Sequence, residues 1–370
     1  MSKFSLLFIC LLVYDCLSAM ITKTIFSLAA SIIKFIFIYL FFLNAYADTV
    51  NKKYEPEEKG ILALMYHRFE ENKYPSTNIK MAVFKKHLEL IKNNNFEFFD
   101  PKDFEKEFYN VKINKKILIT IDDAFLSFYN NAWPVLKKNQ IPFILFTSTE
   151  TIGNKGYMTI DQLKEVESYS FAYLGNHSHS HEYMVEFDFE KYTKDIDKSI
   201  DIFKAQFNYN PIFFSYPFGE YSLKQKKYIS SNFKFAFGQH SGVIDLNKDP
   251  YELPRFPINE KYGDLKRFEF LINLLPLQYN KLFPEDKLVV NNNPPEMTIE
   301  FFKEQKNLGQ INCFSDEGGS WDNTNINLIE NQLKIYFKEK FNFRRGRINC
   351  SLNDTDGWRW LGSQFSVNLN

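Results

Sequence analysis

From Gly60 the chain repeats one arrangement: a short apolar run, a stretch with helical periodicity, then another apolar run. The apolar, β-rich runs cover residues 61–66, 117–121, 143–147, 171–174, 212–216 and 233–237. Between them, residues 81–93, 127–139, 160–167, 190–206 and 223–230 carry helical spacing of apolar side chains. Strands that alternate with helices predict an α/β fold with a mainly parallel sheet and helices outside it. Runs that are apolar throughout, rather than every second residue, predict strands buried on both faces. A barrel and an open sheet both satisfy that pattern, and both place functional groups where strands end and loops begin.

The pattern changes after about Pro276. Residues 288–290, 298–302, 307–314, 332–337, 346–352 and 358–361 read as short strands with polar turns and no helix between them. The run Asn291-Asn292-Asn293-Pro294-Pro295 is a strong breaker. Residues 285–370 are therefore expected to form a small β-sandwich accessory domain, behind a catalytic-sized domain over 61–275. Cys313 and Cys350 each fall at a strand, and in an exported chain they are a candidate disulfide. Two buried free thiols are the alternative.

Export is read from the first residues. Apolar runs at 4–13 and 35–43 follow Lys3 and Lys34, and the second leads into Ala45-Tyr46-Ala47. A basic start, an apolar core and small residues in that pattern predict a signal peptide over 1–47, cleaved after Ala47. The alternative is an uncleaved membrane anchor over 21–43, with Lys23 and Lys34 as its charges. Met20 offers a second start. Either reading puts the rest of the chain outside the cytoplasm: periplasmic, in the cell envelope or secreted. Membrane association is expected only if the leader is retained. Residues 48–60, polar and charged, read as a linker.

Composition excludes two classes. With 40 Phe, 21 Tyr and 18% aromatic residues, the chain buries ample apolar surface and is not a disordered protein. Its 45 basic and 45 acidic residues lack the basic excess of a general nucleic-acid binder.

Chemistry concentrates at two strand ends. The run at 117–121 ends in Asp122-Asp123, adjacent carboxylates that repel unless a cation or strong donors neutralise them. The run at 171–174 leads into Gly175-Asn176-His177-Ser178-His179-Ser180-His181, which holds three of the chain's six His. On a helical turn, His177 and His181 would face the same side. One Asp with two His makes a divalent-metal site with room for water, and such a metal polarises a carbonyl and acidifies water. The other Asp would take the water's proton. Taken singly, each feature has an ordinary reading: an Asp that caps the helix beginning near Phe125, or a surface loop rich in His. Found together at strand ends in an α/β chain, they point to a catalytic site.

These residues resemble a family. Thr120-Ile121-Asp122-Asp123 is similar to the Thr-Phe-Asp-Asp motif of the polysaccharide deacetylases with NodB homology, the fourth carbohydrate esterase family. Gly175 to His181 matches their Gly-Asn-His-Ser/Thr-x-Ser-His motif. Ser215-Tyr216-Pro217-Phe218-Gly219 resembles their Arg-x-Pro-Tyr-Gly, and Leu64-Met65-Tyr66-His67 resembles the opening of the poly-N-acetylglucosamine deacetylase branch. The resemblance covers about residues 60–265. It implies a distorted (β/α) barrel of the NodB type with one divalent metal, zinc being the expected one, that hydrolyses N-acetyl groups on an extracytoplasmic polysaccharide. By motif, Asp122 would be the general base, Asp123, His177 and His181 the metal ligands, and the Phe218 N–H an oxyanion donor. Tyr216 and Pro217 would contact substrate.

Three positions depart from the family pattern. Ala124 replaces Gly after the Asp pair, and Phe218 replaces Tyr. Ser215 stands where the family's Arg orients the base, and Arg255 is the candidate to supply that charge. The family's Leu-x-His, the source of its general acid, has no evident counterpart. His240 and His67 are the two candidates, while His87 and His179 read as bystanders. Trp133, Tyr183, Tyr216 and Trp321 are candidate sugar platforms, with core packing the ordinary alternative. The functional expectation is a metal-dependent N-deacetylase. An O-acetyl polysaccharide esterase and a non-catalytic polysaccharide-binding envelope protein are the alternatives.

Overall fold

The computed structural model describes residues 54–55, 59–108 and 115–367. The leader at 1–47 and most of the linker lie outside the described residues, and no described helix is long and apolar enough to cross a membrane.

Eight strands form one parallel sheet: β1 (Ile61–Tyr66), β2 (Glu97–Phe98), β3 (Lys116–Ile121), β4 (Phe143–Thr147), β5 (Ala172–Asn176), β6 (Phe213–Ser215), β7 (Phe235–Phe237) and β8 (Phe256–Pro257). Their order is β8-β1-β3-β4-β5-β6-β7, and the short β2 pairs with the start of β3 before β4 takes over that edge. Alternate side chains serve different cores. Leu62, Leu64, Tyr66, Ile117, Ile119 and Ile121 join the cluster under the helices, whereas Ile61, Ala63 and Leu118 join an interior cluster rich in Phe. Period-two alternation with both faces buried explains why the strands read as unbroken apolar runs. Helices α1 (Met81–Asn93), α2 (Trp133–Asn139), α3 (Ile160–Glu167), α4 (Phe189–Phe207), α5 (Leu223–Ser230) and α6 (Leu265–Ile272) accompany the strands. Asp188 caps α4, and capping boxes start α3 and α5.

The expected barrel is a curled sheet whose two edges share one segment. Leu253 accepts from Gly238 N–H and donates to the Ala236 carbonyl on β7, and three residues later Phe256 pairs with Leu64 of β1. The segment 253–257 is therefore bonded to both edges. This delivers Arg255 to the sheet interior between them.

The C-terminal strands begin at Leu275, ten residues before the expected boundary. One sheet contains β9 (Leu275–Pro276), β11 (Leu288–Val289), β13 (Asn312–Ser315), β14 (Asp322–Asn323), β17 (Arg345–Asp354) and β18 (Gly357–Val367). The second runs β10 (Lys281–Phe283), β12 (Met297–Glu300), β16 (Gln332–Tyr336), β15 (Asn325–Ile329). Both sheets contribute to one apolar cluster, with Ile299 and Leu333 from the second and Ile348 and Phe365 from the first. Cys313 and Cys350 are opposite partners on β13 and β17 and are disulfide-bonded inside this cluster. The region lies against the curled sheet: a Cβ on Gly362 of β18 would come within 2.1 Å of the Ser241 carbonyl oxygen. Only glycine allows that approach. All described residues belong to one compact unit.

Candidate active site

Asp122 follows the last residue of β3 and donates its N–H to the Tyr66 carbonyl at 2.8 Å, which continues the β1–β3 ladder. Its carboxylate is fully buried and meets the Arg255 guanidinium through two bonds, Nη1 to Oδ1 at 2.6 Å and Nη2 to Oδ2 at 2.9 Å. Arg255 also donates to Ser215 Oγ at 2.8 Å, Thr120 Oγ1 at 3.2 Å and the Gly238 carbonyl at 2.9 Å. A buried ion pair is tolerated when its remaining donors are satisfied, and here they are. Burial would push the Asp122 carboxyl up, but Arg255, together with His177 and His67, outweighs it and holds the group below its ordinary range. Where the family has Arg at position 215, this chain has a small Ser whose hydroxyl accepts from Arg255.

The next two residues turn the backbone. Asp123 has φ 71° and Ala124 φ 49°, both in the left-handed region, and the Asp122 and Asp123 carboxylates come within 4.0 Å and 3.6 Å of the His177 Nε2. Neither Asp caps the following helix, which has Ser127 as its N-cap and no side-chain bond there. Asp123 Oδ1 lies 3.1 Å from His181 Nε2 and 3.6 Å from His177 Nε2.

The segment after β5 is held by its own polar residues. Asn176 Oδ1 accepts the Ser178 N–H at 2.8 Å, Ser178 Oγ accepts the His181 N–H at 3.0 Å, and Asp195 of α4 accepts the N–H groups of His179 and Ser180. Ser178 and His181 have φ of 68° and 54°. His177 and His181 therefore converge through a looped backbone and not through the helical turn expected from their spacing. His179 points elsewhere, bonding Thr149 Oγ1 at 2.8 Å.

Asp123, His177 and His181 offer three ligand atoms within 4.8 Å of one another. The His177 Nδ1–H donates to the Ser215 carbonyl at 2.6 Å, which fixes the tautomer and leaves Nε2 as a lone pair. That Nε2 is buried and has no hydrogen-bond partner. An orphaned acceptor of this kind is costly unless something fills the space beside it. Ligands about 2.1 Å from one tetrahedral ion lie roughly 3.4 Å apart, close to two of the separations seen here. The donor set fits a divalent metal. Burial lowers the His177 pKa to about 4, whereas at His181 burial is outweighed by Asp123 and the pKa rises.

The remaining candidates separate clearly. His67 Nε2 lies 3.9 Å from Asp122 Oδ2, beside the site. His240 does not join it: its surroundings are Glu252, Lys287 and Arg255, and burial lowers its pKa to about 4. Phe218 sits in the turn Pro217–Gly219 with φ 58°, and its N–H makes no hydrogen bond among the described residues. Its ring contacts His181 at 4.8 Å and stacks on Tyr183 at 4.4 Å. Tyr216 and Pro217 are corrected. Both are buried, and Tyr216 packs among Phe214 and Tyr221 with its hydroxyl on the Tyr251 carbonyl, so neither presents a face to a polymer. Trp133 is likewise core, while Tyr183 and Trp321 are exposed.

Sequence reasoning missed Gln364. This β18 side chain is 5% exposed and donates to the carbonyls of Phe218 at 3.0 Å and Gly219 at 3.1 Å. No motif marks it, because its role depends on where a distant strand comes to rest. Arg344 was missed for the same reason; it lies 3.7 Å over the Tyr183 ring and pairs with Glu186.

Comparison with known proteins agrees with this geometry. Residues 110–234 match the family model for polysaccharide deacetylase. A poly-beta-1,6-N-acetyl-D-glucosamine N-deacetylase of Staphylococcus epidermidis is 25% identical over 246 residues, 59% of this chain and 85% of that protein. A putative polysaccharide deacetylase of Bacillus subtilis is 24% identical over 199 residues, 53% of this chain and 70% of its own length. Among solved structures, IcaB from Ammonifex degensii superposes with a TM-score of 0.52 at 20% identity, covering 58% of this chain and 98% of that one. The Streptococcus pyogenes deacetylase PplD superposes with a TM-score of 0.51 at 23% identity, covering 55% and 94% respectively. These superpositions show a shared fold.

Proposed function

We propose that this chain, which carries a polysaccharide deacetylase domain, is a metal-dependent hydrolase that removes N-acetyl groups from an extracytoplasmic amino-sugar polysaccharide. The observation that carries the reading is the convergence of Asp123, His177 and His181, with the orphaned His177 Nε2, next to an Asp122 locked by Arg255. Two imidazole nitrogens and one carboxylate oxygen suit zinc. Bound by those three residues, a divalent ion supplies Lewis-acid polarisation of the acyl oxygen and a more acidic water.

The chain's own groups divide the rest of the work. Asp122, kept ionised by Arg255, accepts the proton from the water as its oxygen bonds to the acetamide carbonyl carbon. The free Phe218 N–H donates to the carbonyl oxygen as negative charge develops there. Gln364 grips the carbonyls on the far side of the same turn and so holds that N–H in place. His67, beside Asp122, is positioned to give a proton to the leaving nitrogen. The C–N bond breaks, and the products are acetate and a free amino sugar.

The likeness to enzymes named for poly-β-1,6-N-acetylglucosamine supports an N-acetylated glucosamine polymer as substrate. The leader pattern supports a periplasmic, envelope or secreted location. Acetate release from N-acetylglucosamine oligomers, measured beside O-acetyl xylan, tests the reading. We expect release from the amide substrate, and cleavage of the ester alone would overturn it.

A further inference from the structure

The segment that carries His181 and the turn that carries Phe218 follow different strands, β5 and β6, and each runs on to a carboxylate that meets the same side chain of the β-region. After His181 the chain passes through Tyr183 into a single helical turn, Met184–Glu186. After Phe218 it reaches Glu220, whose side chain is 1% exposed. Arg344, the residue before β17, bonds to both: Nη2 pairs with the Glu186 carboxylate, and Nη1 lies 3.4 Å from Glu220 Oε2. Its guanidinium also lies 3.7 Å over the Tyr183 ring. Tyr183 stacks on Phe218 at 4.4 Å, and Phe218 meets the His181 ring edge-on at 4.8 Å. Contacts therefore run unbroken from Arg344 through Tyr183 and Phe218 to His181.

The two arms of Arg344 differ in strength. Glu186 is exposed, where an ion pair holds weakly, whereas Glu220 is buried, where breaking a pair leaves an uncompensated charge. Among the described residues Arg344 is the hydrogen-bond partner of the Glu220 carboxylate; Oε1 is buried without one, and Arg345 Nε stands 3.9 Å away. Burial pushes this carboxyl up to about 7 against the pull of both guanidiniums, so its ionised form depends on the cations kept beside it.

The turn needs such support. Phe218 has φ 58°, a left-handed conformation that a bulky residue keeps only when its surroundings hold it. The turn is closed by the Gly219 N–H on the Tyr216 carbonyl at 2.8 Å and the Glu220 N–H on the Pro217 carbonyl at 3.1 Å. Gln364 bonds the carbonyls of this turn but does not tie it to the His181 segment. Arg344 does, because it touches both. The acyl oxygen must meet the Phe218 N–H and the metal site at once, and a misplacement of about 1 Å between such groups can cost on the order of 100-fold in rate.

We propose that Arg344 is a positioning residue for deacetylation: by bridging the Tyr183–Glu186 segment to Glu220, it fixes the oxyanion donor at Phe218 relative to the metal ligand His181. This rests on the deacetylase reading. It makes a β-region side chain part of the machinery that aligns the site, acting through Phe218 and His181 and not through substrate.

The test uses the full chain with Arg344→Met, which keeps an unbranched stem without the charge, Arg344→Lys and Glu220→Gln, each shown to be folded by circular dichroism. Acetate release from N-acetylglucosamine oligomers gives kcat and KM. Hydrogen exchange followed by mass spectrometry reports opening of the Gly219 and Glu220 amide bonds, with β1 as the internal reference. Arg344→Met is expected to lower kcat roughly ten-fold with KM little changed, and to speed exchange in the turn roughly ten-fold while β1 exchanges as in wild type. Arg344→Lys, which keeps the charge without the fork, and Glu220→Gln, which weakens one arm, should fall between. Should Arg344→Met fail to fold, Glu220→Gln, which leaves Arg344 paired with Glu186, carries the same comparison. Wild-type kcat would overturn the proposal, and so would a rise in KM alone, which assigns Arg344 to substrate contact. Exchange that speeds equally in β1 and the turn marks a merely structural role and also overturns it. If the wild type releases no acetate, the deacetylase reading fails, and exchange confined to the turn still decides whether Arg344 holds it.

Discussion

Arg255 sets the electrostatics of the site. It places a fixed positive charge against Asp122, and both side chains are buried. Replacing it by Met leaves a buried carboxylate unpaired, which costs about 3–5 kcal/mol of stability and removes the partner that keeps Asp122 ionised. Arg255→Lys retains the charge but loses the two-pronged bond, so its stability and its acetate release should fall between wild type and Arg255→Met. Thermal unfolding of the three proteins checks this, and a Met variant within about 1 kcal/mol of wild type contradicts it. His87 makes a second prediction. Its ring is buried on α1, stacks on Phe268 at 3.8 Å, bonds the Tyr66 hydroxyl at 3.1 Å and the Gly263 carbonyl at 2.8 Å, and burial lowers its pKa to about 4. The unfolded value is near 6.5, so its contribution is complete above pH 6.5 and is lost as pH falls through about 4. Wild type should lose roughly 3 kcal/mol more than His87→Phe over that interval, seen as a steeper pH slope in urea unfolding. Equal slopes would refute it. At this scale the sequence revealed Asp122, Asp123, His177 and His181, because fixed spacing at strand ends carried them. It could not reveal side-chain direction. His240 follows β7 at the right level of the sheet yet faces Glu252, and Tyr216 sits within a recognisable motif yet points into the core.

At the scale of elements, strands with unbroken apolar runs were legible almost to the residue. β1 and β4 have the expected bounds, and so do α1, α3 and α5. What escaped were two-residue strands such as β2 and β8, which have too few side chains to show a period. α6 escaped although it is amphipathic, and β15 escaped because its side chains are largely exposed. β8 matters most, since the segment leading into it delivers Arg255. The turn at Phe218 is the other element whose support is not local. Its left-handed backbone is held from outside by Gln364, a positioning residue on β18. Gln364→Leu should lower kcat about ten-fold through a misaligned N–H, with KM and metal content little changed. A variant with wild-type kcat would remove Gln364 from the account; a rise in KM alone would assign it to binding instead.

Over the whole molecule, the β-region shares a seam with the curled sheet and reaches into its site through Gln364 and Arg344. The expectation of a separate accessory domain underestimated this, because hydrophobic patterning identifies strands but does not show which surfaces they abut. The disulfide pins adjacent strands of that region across a 37-residue separation. Replacing both Cys by Ala should lower stability by about 2–4 kcal/mol in denaturant unfolding. An unchanged midpoint would mean that the apolar cluster alone secures the sheets. The central claim is that Asp123, His177 and His181 hold one divalent ion beside the Asp122 base. The most direct measurement is the divalent-ion content of the folded chain, taken with acetate release, for wild type, His177→Ala and Asp122→Asn. The account predicts one ion per wild-type chain, loss of both ion and activity in His177→Ala, and an ion retained without turnover in Asp122→Asn. A folded wild-type chain that binds no divalent ion and still releases acetate would contradict it.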